Sequence, residues 1–272
     1  MSSLLKSPLP RLMKPGTPLV VGQAVQIAGP EHHYLTRVLR LAVGDALLLL
    51  DGQGRVAQAC ITALGGDALS VEPQRIEQVI GAGLPELWLL CGMLKGEKHD
   101  LVIQKATELG AAAIISVACQ RSIPALSGER ADKRQVRWGR VAAAAAQQCR
   151  RPGVPRISPP LGLAAALAEL PAGRRFLLSE GVAPPLRALL APVSDGETSG
   201  QAQTLNEASQ MRTSPDLGAV ALLVGPEGGL TDEEIALASA AGFVPCSIGP
   251  HILRAETAAI AALAAATALL MQ

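Results

Sequence analysis

Short apolar runs separated by turn residues occupy the first part of the chain. Alternating apolar and polar positions predict strands at residues 20–27, 46–50, 56–61 and 69–72. The tetrapeptide Asp51-Gly52-Gln53-Gly54 separates the second and third runs and is typical of a tight hairpin turn. Several short strands joined by turns indicate a small β-barrel domain over residues 1–78.

From residue 79 onward the pattern changes to strands that alternate with helices. We predict strands at residues 87–91, 113–118, 175–178, 219–224 and 243–248. We predict helices at 98–109, 231–242 and 257–271, and a basic helix that ends at about residue 148. This alternation is typical of an α/β domain with a parallel sheet covered on both faces. Residues 192–218 are rich in Ser, Thr, Gln and Gly, so we expect a flexible surface insertion there.

Two of the predicted strands end in loops that contain glycine. Gly225-Pro226-Glu227-Gly228-Gly229 follows the strand at 219–224, and Gly249-Pro250 follows the strand at 243–248. Thr231 and Glu234 have the spacing of a capping box, and three consecutive acids begin the helix after the first loop. Because these acids repel polyphosphate, the loop is expected to hold a neutral or cationic ligand through backbone groups. A plain strand-to-helix turn is the alternative.

The net charge is only +1, but the charges are unevenly distributed. Residues 121–156 contain nine Lys or Arg against two acids, whereas the segment from Ala219 onward contains five acids and one arginine. The basic residues Arg130, Lys133, Arg134, Arg137 and Arg140 recur at helical spacing. Their stripe predicts contacts to RNA phosphates, with a solvated helix face as the alternative.

The composition also bears on location and cofactors. Residues 257–271 form the most apolar stretch, which is shorter than the ~20 residues that span a bilayer. The amino-terminal segment lacks the apolar core of a secretory signal, because it is interrupted by Lys6, Pro8 and Pro10. Five scattered cysteines without ligand spacing indicate a reducing compartment and no metal site. We therefore expect a soluble, cytoplasmic, metal-free protein without a membrane partner.

Five segments resemble, in order, the motifs of one family. They read HHYLTRVLRLAVGD, KGEKHDLVIQKATELGAAAIISVACQRS, RWGRVAAAAAQQCRRPGVPRI, LLVGPEGGLTDEEIALASAAGF and SIGPHILRAETAAIAAL. Together they resemble the RsmE-type family of the SPOUT class of RNA methyltransferases. An ordered set of motifs is far more specific than a single glycine loop.

The resemblance implies a fold and a cofactor. It implies a PUA-like RNA-binding barrel over residues 1–78 and, over residues 79–272, a SPOUT domain whose parallel sheet ends in a trefoil knot. The knot loops of such enzymes hold S-adenosylmethionine. The matching cofactor-binding residues would be Leu223, Gly225, Glu227, Gly228, Gly229, Ile248, Gly249, Leu253 and Ala258.

The resemblance further implies methyl transfer to N3 of a uridine in 16S ribosomal RNA. This nitrogen holds a proton at neutral pH, so the enzyme must assist its removal. Arg254 is expected to hold a uracil carbonyl and stabilise the deprotonated ring, or else to pair with Glu256. Glu256 is the predicted proton acceptor, and its alternative role is to tie down loop amides.

The RNA partner would be small-subunit ribosomal RNA or the 30S subunit. The residues expected to contact it are Arg37, Arg40, Lys95, Arg121, Arg134, Arg137, Gln148 and Arg151. Departures from the family pattern at Ala144, Gln147, Arg150, His251 and Ala255 affect fine substrate contacts more than the type of reaction.

Two other functions compete with this hypothesis. A catalytically silent RNA-binding or ribosome-assembly factor could keep the same fold. A dinucleotide-dependent oxidoreductase would need GxGxxG after its first strand, and the sequence has none there.

The last helix predicts a homodimer. Residues 257–271 carry no charge, so an exposed face would leave a large apolar patch on a monomer. On this hypothesis, Ala262→Glu should separate the subunits and abolish methylation.

Overall fold

The computed structural model describes residues 4, 8–79, 85–122, 128–179, 183–190 and 218–270. The chain forms two compact units. The amino-terminal unit comprises Met1–Ala82 and Ala142–Val154, and the carboxyl-terminal unit comprises Gly83–Val141 and Pro155–Gln272. The expected insertion at 192–218 lies outside the described residues, apart from Gly218.

The amino-terminal unit is built on a five-stranded sheet. Its strands are β1 (Arg11–Met13), β2 (Val25–Ala28), β3 (Ala46–Leu50), β4 (Arg55–Leu64) and β5 (Ala68–Gln78), in the order β1-β3-β4-β5-β2. Strand β1 runs parallel to β3, and the other pairs are antiparallel. Helix α1 (Pro30–His33) and a π-helical turn (Tyr34–Val38) lie between β2 and β3.

The predicted hairpin after β3 is confirmed. The Oδ1 atom of Asp51 accepts hydrogen bonds from the backbone amides of Gln53 and Arg55 at 2.7 and 3.0 Å. This Asx-type turn reverses the chain, while the inward side chains of the sheet form an apolar core around Leu47, Leu49 and Ile61. Strand β2 begins at Val25 rather than at residue 20, because Val20 and Val21 are exposed ahead of a turn at Gly22 with φ of 77°.

Residues 142–154 depart from the predicted division. We expected them in the second domain, but Ala146 is buried in a cluster with Met13, Leu48 and Leu50 of the amino-terminal unit. The amide of Val154 donates to the carbonyl of Gly52 at 2.8 Å. Contacts between residues so far apart in the chain are not indicated by any periodicity in the sequence, so the sequence did not place this segment in the amino-terminal unit.

The carboxyl-terminal unit contains a parallel sheet, as predicted. Its strands are β6 (Leu87–Gly92), β7 (Ala113–Ala118), β8 (Arg156–Ile157), β9 (Leu161–Gly162), β10 (Gly173–Leu178), β11 (Ala219–Val224) and β12 (Val244–Cys246). The order is β12-β10-β11-β6-β7-β8, and β9 also pairs with β7. Strands β6 and β11 are buried along their whole length, which explains their continuous apolar sequences.

Six helices complete the described part of this chain. They are α2 (Lys98–Glu108), α3 (Glu129–Gln148), α4 (Leu163–Ala168), α5 (Leu186–Leu190), α6 (Asp232–Ala240) and α7 (Ala255–Leu270). Helix α6 begins with the predicted capping box of Thr231 and Glu234. None of the helices in the described ranges is long and apolar enough to cross a membrane.

Helix α7 uses much of its apolar surface inside its own subunit. It packs against α2, α5, β6 and β11, and Thr267 donates to the carbonyl of Leu109 at 2.7 Å. Ala262 is 0% exposed within this chain, so Ala262→Glu is not a specific test of the predicted dimer. A glutamate at this position would disrupt the subunit itself.

Candidate functional site

A cavity of about 1150 Å³ lies at the carboxyl ends of β10, β11 and β12. Ligands of open parallel sheets collect at this edge, because loops from neighbouring strands meet there. Two segments supply most of the wall: 224–230 after β11, and 245–255 around the end of β12. The remaining described lining residues are Lys98, Arg121, Leu177, Leu178, Ser179, Ala183, Ile235 and Ala258.

The first glycine loop crosses the end of strand β6 at contact distance. A Cβ atom on Gly92 would lie 2.4 Å from the backbone nitrogen of Pro226 and 2.9 Å from the carbonyl carbon of Gly225. Only glycine fits there without moving the loop. The position of the loop therefore depends on Gly92, which was not among the predicted site residues.

Two neighbouring residues after β7 brace the same loop. The backbone amide of Gln120 donates to Oε1 of Glu234 at 2.8 Å, while Oε2 accepts from the Thr231 amide at 2.9 Å. The Arg121 guanidinium donates to the carbonyls of Gly228 and Leu230, both at 3.3 Å. Arg121 was predicted as an RNA or active-site contact, and the structure places it against the glycine loop in the cavity wall.

The carboxylate of Glu227 meets two groups at the start of α2. It accepts a hydrogen bond from the Lys95 amide at 3.3 Å and pairs with Lys98 Nζ at 3.3 Å. Burial alone would raise the pKa of Glu227, but backbone hydrogen bonds from its own residue and Lys95, together with Lys98, lower it overall. Glu227 is therefore an anion in the cavity wall at neutral pH.

Glu256 lies in the first turn of α7, and its side chain is largely buried. Its Oε1 lies 3.6 Å from Lys98 Nζ, and Oε2 has no hydrogen-bond partner among the described residues. Glu256 is not among the residues that line the cavity, whereas the exposed Arg254 is. The Arg254 side chain has no hydrogen bond or ion pair with the described residues, so a pair with Glu256 does not form there.

The structure brings together nearly all residues expected to bind the cofactor. Those that line the cavity are Gly225, Glu227, Gly228, Gly229, Ile248, Gly249, Leu253 and Ala258. Leu223 is the exception, because it is fully buried within β11 beside Leu90 of β6. Leu222 and Leu223 occupy consecutive buried strand positions, and the sequence alone could not separate sheet core from cavity wall.

Sequence reasoning missed the contribution of β10. Leu177, Leu178 and Ser179 line the cavity because β10 lies between β11 and β12. The strand itself was predicted at 175–178, but its place in the sheet depends on a crossover that leaves no local pattern. Cys246 at the end of β12 also lines the cavity, and burial raises its thiol pKa to about 12.

The predicted RNA contacts are distributed over both units. Arg37 and Arg40 are exposed after α1, Arg40 with φ of 54°, and Gln148 is exposed near the end of α3. Lys95 is exposed in the loop before α2. Arg151 is half-buried, and burial lowers its pKa.

The basic stripe on α3 is partly engaged within the subunit. Arg137 forms an ion pair with Asp100, and Lys133 pairs with Glu129 at 2.7 Å. Arg134 is half-buried, whereas Arg130 and Arg140 are exposed. The ion pair of Arg137 anchors α3 to α2, and the phosphate contacts of the stripe remain a prediction.

A buried polar cluster fixes α2 against β7 and α3. The Nε2 atom of His99 lies 2.8 Å from the Ser116 hydroxyl oxygen, and its ring packs on Trp138 with centroids 4.6 Å apart. Trp138 Nε1 donates to Asp100 at 3.1 Å. Burial lowers the pKa of His99 to about 4, so its ring is neutral at neutral pH. No local pattern in the sequence singles out His99.

Metal chemistry has no visible ligand set here. Among residues that the structure describes, no group of three or more His, Cys, Asp or Glu side chains could hold a metal ion. Charge in the cavity wall comes instead from Lys98, Arg121, Glu227 and Arg254.

Family models match both units of the chain. An RNA methyltransferase domain matches residues 82–267, and an RNA methyltransferase PUA domain matches residues 27–74. The ribosomal RNA small subunit methyltransferase E of a Synechocystis species is 34% identical over 262 residues, which are 92% of this chain and 75% of that protein. The chain belongs to the ribosomal RNA small subunit methyltransferase E family.

Solved structures related to this family support the assignment. Ribosomal RNA small subunit methyltransferase E from Neisseria gonorrhoeae, solved bound to S-adenosyl methionine, is 30% identical with a TM-score of 0.75. A putative methyltransferase from Legionella pneumophila, solved with the bound cofactor SAM, is 28% identical with the same TM-score. In both cases the similarity covers 96% of this chain and 98% of the other. The family resemblance inferred from the motifs is thereby confirmed.

Proposed function

We propose that this protein uses S-adenosylmethionine to methylate N3 of a uridine in 16S ribosomal RNA. Family membership supplies the reaction class. The observation in this chain that carries the proposal is the cavity where two glycine-containing loops and the start of α7 meet. The uracil-N3 position is the finer part of the proposal and rests on the motif resemblance.

The residues present fit this cofactor. A volume of about 1150 Å³ is at or above the range of ~300–1,000 Å³ typical of small-molecule pockets, which leaves room beside the cofactor for a base. Backbone-rich walls such as Gly225, Gly249 and Leu253 suit a ligand recognised through main-chain groups. The anionic Glu227 suits a cation and disfavours a phosphate.

When bound, S-adenosylmethionine supplies an electrophilic methyl group on a sulfonium. The protein must then place the uracil ring and favour loss of its N3 proton. Arg254, exposed at the cavity, would hold a uracil carbonyl and stabilise the negative charge of the deprotonated ring. The cavity walls would exclude water, which strengthens this interaction.

Glu256 was predicted as a proton acceptor or as a loop anchor. Its pairing with Lys98 and its absence from the described cavity lining support the second role. Arg254 would then lower the pKa of uracil N3, and the N3 proton would pass to solvent or to another acceptor.

The proposal includes finer structural features of the family. The amino-terminal unit would be a PUA-like barrel that contacts RNA, and the sheet edge beneath α7 would contain a trefoil knot. The enzyme would act as a homodimer on small-subunit RNA or on the 30S subunit. The partly exposed Leu269 of α7, at 38%, is a better probe of a dimer interface than Ala262.

Mass spectrometry of small-subunit ribosomal RNA tests the proposed reaction. Cells lacking the gene should lose one N3-methyluridine, and the purified protein with S-adenosylmethionine should restore it. Arg254→Gln should lower the turnover number by at least about tenfold, or about 1.4 kcal/mol, while the dissociation constant of the cofactor stays within threefold. RNA binding without methyl transfer by the wild-type protein would favour the silent assembly factor.

A further inference from the structure

We propose that Lys98 is a positioning residue that joins two walls of the cofactor cavity. Its ammonium lies 3.3 Å from Glu227 Oε1 and 3.6 Å from Glu256 Oε1. Glu227 belongs to the first glycine loop and Glu256 to the first turn of α7. One side chain from α2 thus bridges two segments that are distant in sequence. The inference rests on the proposed use of this cavity for the cofactor.

The bridge is buried at Glu256, whereas the side chains of Lys98 and Glu227 are 38% and 30% exposed. The side chain of Glu256 is 12% exposed, and Lys98 is its sole charged or hydrogen-bonding partner among the described residues. Removing one partner of a largely buried pair leaves an uncompensated charge, which is costly. Without Lys98, two carboxylates would also face each other across the same gap.

The bridged segments form the cavity wall directly. Glu227 and its neighbours Pro226 and Gly228 line the cavity on the loop side. Ala255, one residue before Glu256, and Ala258, two residues after it, line the cavity on the α7 side. A change in the spacing of these segments therefore changes the width of the cavity.

The charges argue against Lys98 as an RNA phosphate contact. Two carboxylates surround one ammonium, so the cluster carries a net negative charge and repels phosphate. Lys98 also lines the cavity. Its loss should therefore affect cofactor binding and leave RNA affinity unchanged.

Calorimetry with S-adenosylmethionine on the full-length protein tests the inference. Lys98→Met should weaken binding at least tenfold, whereas Lys98→Arg, which keeps the charge, should stay within about threefold. Lys105→Met is the matched control, because Lys105 also lies on α2 and its Nζ lies 2.8 Å from a carboxylate oxygen of Glu108. Neither Lys105 nor Glu108 lines the cavity. This control variant should leave the affinity unchanged.

A variant cycle separates positioning from general destabilisation. In a protein carrying Glu227→Gln and Glu256→Gln, adding Lys98→Met should cause no further tenfold loss of cofactor affinity. RNA affinity of Lys98→Met should stay within twofold of wild type. An unchanged cofactor affinity with weakened RNA binding would overturn the inference in favour of a phosphate contact.

Hydrogen exchange without any ligand decides the inference independently of the proposed function. Lys98→Met should speed amide exchange in residues 225–230 and 255–258, and Lys105→Met should not. If wild-type protein failed to bind S-adenosylmethionine but this exchange pattern held, the cofactor proposal would fail and the bridge would stand. If Lys98→Met proves unstable, Lys98→Gln gives the same readout. Equal exchange in the lysine variant and wild type would refute the bridge.

Discussion

Arg121 and Gly228 contact each other through both side chain and backbone. The Arg121 guanidinium donates to the Gly228 carbonyl at 3.3 Å, and a Cβ on Gly228 would lie 2.9 Å from the Cβ of Arg121. The close approach brings the end of β7 against the first glycine loop. The conformation of the loop therefore depends on Arg121, from a different segment of the cavity wall, as well as on its own glycines.

Gly228→Val should weaken cofactor binding about tenfold or more. The added side chain collides with the backbone and Cβ of Arg121 and pushes the loop into the cavity, with strain of about 1–3 kcal/mol. Calorimetry with S-adenosylmethionine measures the effect. Gly139→Ala in α3, where a Cβ meets nothing within 4 Å, is the control. If the Gly228→Val protein folds and binds S-adenosylmethionine with wild-type affinity, the assignment of this loop to the cofactor site is wrong.

Gly92→Ala should be more damaging than Gly228→Val. Its Cβ would lie 2.4 Å from the backbone nitrogen of Pro226, and backbone atoms cannot rotate away as a flexible side chain can. We expect a loss of stability of at least about 2 kcal/mol together with weakened cofactor binding. Urea unfolding and calorimetry on one preparation would measure both. Unchanged values would show that the loop is not held against β6 in solution.

Stability should fall as the pH drops from about 6.5 to about 4 because of His99. Burial lowers the pKa of His99 in the folded protein from its ordinary value of 6.5 to about 4, so the unfolded chain binds more protons in this window. The free energy of unfolding then decreases by at most about 1.4 kcal/mol per pH unit. Above this window His99 contributes no slope.

Comparison of variants isolates the contribution of His99. His99→Gln should flatten the pH dependence of the unfolding free energy between pH 4 and 6.5, measured by urea titration. His33→Gln, at an exposed position, should retain the wild-type slope. Parallel curves for wild type and His99→Gln would show that His99 titrates normally in the folded protein.

The basic helix should contact RNA through its exposed arginines. Replacing Arg130 and Arg140 together with alanine should weaken binding and reduce the salt slope by about one unit per lost contact. Arg137→Ala should mainly lower thermal stability, because Arg137 anchors α3 to Asp100 of α2. An unchanged salt slope in the double variant would return the stripe to a solvated helix face.

The local elements of the carboxyl-terminal unit follow closely from the sequence. Strand β11 was predicted with its observed bounds, and the capping box at Thr231 forms as expected. Apolar runs and capping residues are patterns among neighbouring positions, so they can be recognised in the sequence without knowledge of the fold. The glycine loops followed from the same reasoning.

Long-range pairings did not follow from the sequence. Asp100 meets Arg137, and Lys98 meets Glu256, only because helices and strands pack in a particular order. The same limit explains why Leu223 was placed in the cavity and β10 was left out. The charge pattern on α3 showed which residues were basic, but the acid that neutralises Arg137 lies on another helix.

The bridge from Lys98 to Glu256 also sets an order of events during synthesis. The ribosome makes α2 well before the first turn of α7, so the two walls cannot be joined until α7 has emerged. A nascent chain that ends before Glu256 has a first glycine loop but no α7 to face it. The enzyme that modifies ribosomal RNA therefore acquires this cavity only after α7 has been translated.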